Sequence, residues 1–250
     1  MNEPQVDANT LKQDLIKTFG GKQGLAIYRS LMTCTDRLSY ANKRLHDIEK
    51  VIQEKIEPNF EMWRDTFDVE EPEGDFHESQ WKIRMLATEA VQHLHSIFDP
   101  LACVVYWFNI PLAAQSIAVR KLNFYEVQRC VGIDKKYQEL LSEIAQEEAF
   151  FHIAALSNLA KHSQIVRPSF SHISEGLPPI NAESAVEFES CTGKNPLNKT
   201  GRVSGEFVFP KVSISKFIRD EIRRVASLFN ELVRHVRSDL DLRLKADKKC

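Results

Sequence analysis

"LMTCTDRLSYANKRLHDIEKVI", residues 31–52, is the stretch whose spacing decides the fold. Leu31, Leu38, Leu45 and Ile52 recur every seven residues, and Cys34, Ala41 and Ile48 form a second row between them. A helix returns to the same face about every 3.6 residues, so two such rows merge into one apolar seam. That seam is the mark of long helices packed nearly antiparallel in a bundle. No Gly or Pro follows Gly24 until Pro58, so the pattern predicts a helix from Lys22 to about Ile56. Upstream, "DANTLKQDLIKTFGGKQG" predicts a short helix that starts near Asn9 or Thr10 and closes at Gly20–Gly21.

Downstream the same logic extends the bundle. "EPNFEMWRDTFDVEEPEGDF" (57–76) carries two prolines and a glycine and reads as a long loop. A second long helix is expected from about Glu78 to Asn109, kinked or split by Pro100 after Phe98–Asp99, with Pro111 at its exit. A short helix near Tyr125 follows, and Asp134 is placed to cap a further helix through about His162. In residues 184–209, "SAVEFESC" and "RVSGEFVF" alternate apolar with polar around "TGKNPLNKTG", which predicts an inserted β-hairpin. After Pro210, Ser213 or Ser215 should cap a last helix. There Ile218, Val225 and Leu232 interleave with Ile222, Phe229 and Val236. The expected architecture is one all-α domain over 1–250, an up-and-down helical bundle with a small β-hairpin at 184–209.

Composition narrows the function classes. The chain has 250 residues, 43% hydrophobic and 27% charged, with 9 Gly and 10 Pro, as a helix-rich globular protein would. A net charge of -2 gives no global attraction to nucleic acid or anionic membrane. The five cysteines are scattered without a CxxC pair, and "MNEPQVDANTLKQ" lacks the apolar core of a secretory signal. The apolar run "IPLAAQSIAV" is far shorter than the roughly 20 residues of a membrane span. A cytoplasmic, reduced protein is the expectation.

Several chemistries fail on spacing. "FGGKQG" and "CTGKNP" both lack the Ser or Thr and the upstream glycine of a phosphate loop. Glu148, His152, Leu159 and His162 share a helical stripe, but at 1.5 Å per residue Glu148 and His162 stand ~21 Å apart. One ion could not bind both. Glu148–His152 and Glu89–His93 are i, i+4 pairs, whereas the di-iron bundle signature is Glu-x-x-His at i, i+3, so no metal and no cofactor are expected. No serine or cysteine stands at a strand-to-helix elbow, which leaves no nucleophilic triad to assign. Arg219, Arg223, Arg224, Arg234, Arg237 and Arg243 lie on the last helix, yet Asp and Glu interleave with them, the pattern of a solvated mixed-charge surface.

What remains is "HIAALSNLAKHSQIVRPSF", residues 152–170. Asn158 and His162 are four apart and would share one side of a helix end, with Lys161 pointing about 100° away from His162. Asn158 offers a donor and an acceptor, and His162 can move a proton near neutral pH. Polar residues at the end of a bundle helix are placed to line a cleft. They are equally placed to bond facing residues and the last carbonyls of their own helix.

With "LHSIFDPLACVVYWF" (94–108) two helices before "LSNLAKHS" (156–163), the chain resembles the HEPN superfamily of bacterial α-helical bundles. The matching blocks cover about a quarter of the chain, and the helix order fits over most of it. Active members are metal-independent ribonucleases with an R-N-x-x-x-H motif, and they pair as dimers that bring two motifs into one cleft. The resemblance implies that Asn158 and His162 match the motif's Asn and His, with Ser157 where its Arg would stand. Serine can hydrogen-bond a phosphate but supplies no permanent bidentate cation. "RPSFSH" has Arg and His in suitable spacing, but Pro168 follows Arg167 and the string lies beyond the helix end.

The implied function is a non-catalytic or degenerate HEPN-like module, a homodimer that binds RNA, a nucleotide or a protein partner in a bacterial defence or toxin–antitoxin setting. Ser157, Lys161, Arg167 and Asp99 are its candidate binding residues, Asp99 as the group that would orient or charge His162. The alternative is a working endoribonuclease with catalytic His162 and Asn158 and a cation displaced from position 157.

Overall fold

The computed structural model describes residues 8–60, 75–115, 117–118, 121–161, 168–170, 186–188, 190–194 and 206–247. Its helices are α1 (Ala8–Val51), α2 (Asp75–Ser96), α3 (Phe98–Asn109), α4 (Phe124–Gln128), α5 (Lys135–Gln146), α6 (Glu148–Lys161) and α7 (Ile214–Asp247). Five short strands lie between α6 and α7: β1 (Pro168–Phe170), β2 (Val186–Phe188), β3 (Cys191–Lys194), β4 (Glu206–Phe209) and β5 (Val212–Ser213). This is an all-α bundle with a small antiparallel β insertion. Contacts divide it into two compact units. One holds residues 1–37, 96–146 and 225–250, and the other holds 38–95 and 147–224, so α1 and α7 each contribute to both.

In the first unit, α1 bends back on itself. Gly20 takes φ 77°, ψ 164°, outside the helical region and open to glycine at little cost, which realises the break expected at Gly20–Gly21. The return arm comes so close that a Cβ on Gly24 would meet the Leu15 carbonyl at 2.5 Å. Leu15, Ile27, Leu31 and Cys34 fill the core from this helix, with Leu101, Val105 and Phe108 from α3 and Tyr137, Leu141 and Ile144 from α5. α3 runs antiparallel to α1: Cys34 faces the Ile97 carbonyl, and the buried Gln23 amide donates to the Trp107 and Ile110 carbonyls at 2.5 and 3.1 Å. Gln23 thus satisfies acceptors that the end of α3 leaves open. Tyr137 Oη donates to Asp239 at 2.9 Å, and the Arg243 guanidinium covers the Phe19 and Phe108 rings at 4.9 and 5.0 Å, tying α7 down.

In the second unit, Ala41, Leu45 and Ile48 continue the α1 seam in full burial, opposite Ile83, Ala87, Val91 and Leu94 of α2. Tyr40 stacks on His93 and the Arg44 guanidinium meets Glu89 at 2.5 Å, again an antiparallel register. Ile218 and Val225 bury the α7 seam, Val225 and Leu232 carrying it into the other unit. β3 and β4 form the hairpin, Cys191 opposite Phe209 through Lys194 opposite Glu206. β2 pairs on either side with β1 and β5, and its Val186 and Phe188 point inward.

Four expectations shift. The helix expected from Glu78 starts at Asp75, and it breaks at Ile97, ahead of the Phe98–Asp99 position that Pro100 suggested. Pro100 then sits in the first turn of α3, where a missing N–H costs nothing. The helix expected from Asp134 to His162 is two helices, parted at Glu147. The hairpin's first strand is "CTGK", of which "TGK" was expected as turn and Cys191 as strand, while "VEF" joins the three-stranded sheet. The loop residues 61–74 lie outside the described residues.

Candidate functional site

α6 is apolar on nearly every side, which makes its few polar positions informative. Phe150, Phe151 and every residue from Ile153 to Leu156 are buried. A helix hydrophobic all round belongs in a core. His152 is half-buried among them, its ring stacked 4.3 Å from Phe209 at an interplanar angle of 4° and 4.6 Å from Phe217. Its Nε2 is buried without a hydrogen-bond partner, and burial pulls its pKa down to about 4, so the ring is neutral and apolar in role. Among the described residues no three His, Cys, Asp or Glu side chains gather in a group that could hold a metal ion.

The next turn carries the motif positions. Ser157 is only 1% exposed, and its Oγ has no hydrogen-bond partner. Asn158 is exposed, and Lys161 ends the helix. One residue of helix rotation, about 100°, separates a core-facing position from a solvent-facing one. The site built from the described residues is therefore Asn158 at the surface beside a buried serine. His162 and Arg167 lie outside the described residues, so the Asn158–His162 pair does too.

Asp99 has a different neighbourhood. It is exposed in the first turn of α3, and its Oδ1 accepts the Phe124 N–H at 2.9 Å. Together with Asn123, whose side chain accepts from Glu126 N–H, it serves the open donors at the start of α4. Its charge adds to burial in raising the Tyr125 hydroxyl to about 12 and the Cys103 thiol to about 11. Asp99 belongs to the first unit, Ser157 and Asn158 to the second.

Of the three arginines of α7 within the second unit, Arg219 and Arg224 hold close carboxylate partners, while Arg223 is exposed and 3.7 Å from Asp220. Arg219 holds Glu49 at 2.6 Å. Arg224 donates to both oxygens of Glu221, at 2.7 to 3.2 Å, and to Glu147. Glu221 is 5% exposed, and burial raises its pKa, with Arg224 as the largest opposing influence. This triad fastens α7 to Glu147, just before α6, within its unit and spends a charge that a displaced-cation mechanism would need.

No family model, curated protein or solved structure matches the chain. No helix among the described residues is long and apolar enough to cross a membrane. A charged groove along α1 and α2 has no motif spacing to mark it in the sequence.

Proposed function

We propose that the protein is a non-catalytic HEPN-like module, a homodimer that binds RNA, a nucleotide or a protein partner at the C-terminal end of α6, in a bacterial defence or toxin–antitoxin setting. One observation carries the reading: Ser157, where the resemblance calls for arginine, faces the core. Phosphodiester cleavage needs charge stabilisation where the oxyanion develops. A short neutral side chain pointing inward supplies none, and Arg219 and Arg224 are held by carboxylates. Asn158, exposed and able to donate and accept, serves binding without chemistry. His162 completes the binding end in this reading, while Asp99 serves the start of α4.

RNA is the ligand to test first. A mobility-shift titration with short single-stranded RNA is expected to show binding that weakens at least about tenfold, ~1.4 kcal/mol, on Asn158→Ala or His162→Ala. Equal binding by wild type and both variants would remove the α6 end from the interface.

A further inference from the structure

The second unit contains a groove of about 500 Å³ between the last turns of α1 and the first turns of α2. Its wall presents Arg44, Lys50, Lys55 and Lys82 among the carboxylates of Asp47, Glu54 and Glu78. The cations differ in availability. Arg44 is committed to Asp47 at 3.1 Å and Glu89 at 2.5 Å. Lys50 meets Glu54 at 3.7 Å with both side chains well exposed, a pairing of little strength. Lys55 and Lys82 have no carboxylate partner among the described residues, and both are exposed.

A rare backbone feature brings Lys55 to this wall. Beyond Val51 the chain continues as a π turn, Ile52–Ile56, with the Glu57 N–H reaching back five residues to the Ile52 carbonyl. The wider turn brings Lys55 round toward the side of Lys50, and both line the groove. A regular α-helix would set them about 140° apart and turn Lys55 out of the groove. Such turns are frequent at functional sites.

Outside the groove wall, on the α2 stripe adjoining Lys82, stands an uncovered aromatic. Trp81 is 58% exposed and Met85, one turn on, is 42% exposed. They form the stripe of α2 next to the one carrying Glu78 and Lys82. An exposed indole on the rim adjoining Lys82 would join a stacking platform to a phosphate site in the groove. The neighbouring carboxylates oppose a long polyanion. They are suited to accept hydrogen bonds from ribose hydroxyls or exocyclic amines. The volume lies within the range of small-molecule sites, about 300–1,000 Å³.

We propose that this groove binds a nucleoside phosphate, its phosphate between Lys55 and Lys82 and its base against Trp81 and Met85. The site shares no residue with the α6 end, and the proposal stands independently of the function proposed there.

The test is titration of the intact protein with AMP, followed by tryptophan emission and by calorimetry, with adenosine and inorganic phosphate as half-ligand probes. Saturable AMP binding with quenching is expected, the quench disappearing in Trp81→Phe while calorimetric binding persists. Lys55→Glu and Lys82→Glu, both at exposed positions and checked for unchanged circular dichroism, should each weaken AMP at least about tenfold. Each half-ligand should bind at least about tenfold more weakly than AMP. The proposal is overturned by absence of saturable AMP binding up to about 5 mM. Affinity unchanged in both lysine variants, or inorganic phosphate binding as tightly as AMP, overturns it too.

Discussion

Acidification should weaken this fold through His152 before most carboxylates titrate. The ring lies flat on Phe209 and against Phe217, with Nε2 buried and unpartnered. Burial is the cause that lowers its pKa from 6.5 to about 4. Because the folded value is the lower one, the unfolded chain binds the proton first. The contribution is fully present above pH 6.5 and is lost as pH falls from there through about 4. At 1.36 kcal/mol per pH unit the whole gap amounts to about 3.4 kcal/mol, and solvent reaching the part-exposed ring reduces that to about 2 kcal/mol. Between pH 7 and pH 5 the expected loss is about 1 kcal/mol after the same reduction. Urea unfolding at several pH values, wild type against His152→Phe, isolates the effect. The variant keeps the stack and removes the proton site, while all other titrating groups cancel in the comparison. Wild type should lose about 1 kcal/mol more than the variant over that interval. Parallel pH profiles would refute the reasoning.

Three other substitutions follow from specific contacts. Gly24→Ala would place a Cβ 2.5 Å from the Leu15 carbonyl oxygen and 2.7 Å from Ile16 Cα, so thermal unfolding should show a loss of about 2–3 kcal/mol. Gly21→Ala, with open space around it, should change little and serves as the control. Arg224→Met leaves Glu221 buried without its partner and should cost about 3 kcal/mol in urea unfolding, with partial recovery in Arg224→Met/Glu221→Gln. Ser157→Arg should destabilise the fold by forcing a cation into a core position, and should confer no RNA cleavage on gel assay.

Much of the helical frame was legible because apolar periodicity is a property of local sequence. The rows Leu31–Leu45–Ile52 and Ile218–Val225–Leu232 named residues that are buried in the structure, though Leu38 of the first row is only half-buried. Gly20 and Ser213 were readable as punctuation, one through its φ, the other through the Lys216 N–H that its Oγ accepts. The break at Glu147 was not readable. No glycine or proline marks it, and the Arg224 contact that accompanies it comes from 77 residues away. The hairpin register failed for a similar reason: "CTGK" carries turn-forming residues, and its strand state comes from pairing with "EFVF". The inward direction of Ser157 was equally hidden, since a serine between leucine and asparagine is ambiguous until the rotation of α6 in its core is known. The π turn at Ile52–Ile56 leaves no signature in composition, so the alignment of Lys55 with Lys50 emerges only in three dimensions.

The proposed role is to hold a ligand without cutting it. The direct test incubates purified wild type and His162→Ala with end-labelled total RNA in EDTA and resolves the products on a denaturing gel. Intact RNA in both lanes is the expected result. Fragments produced by wild type and absent with His162→Ala would contradict it.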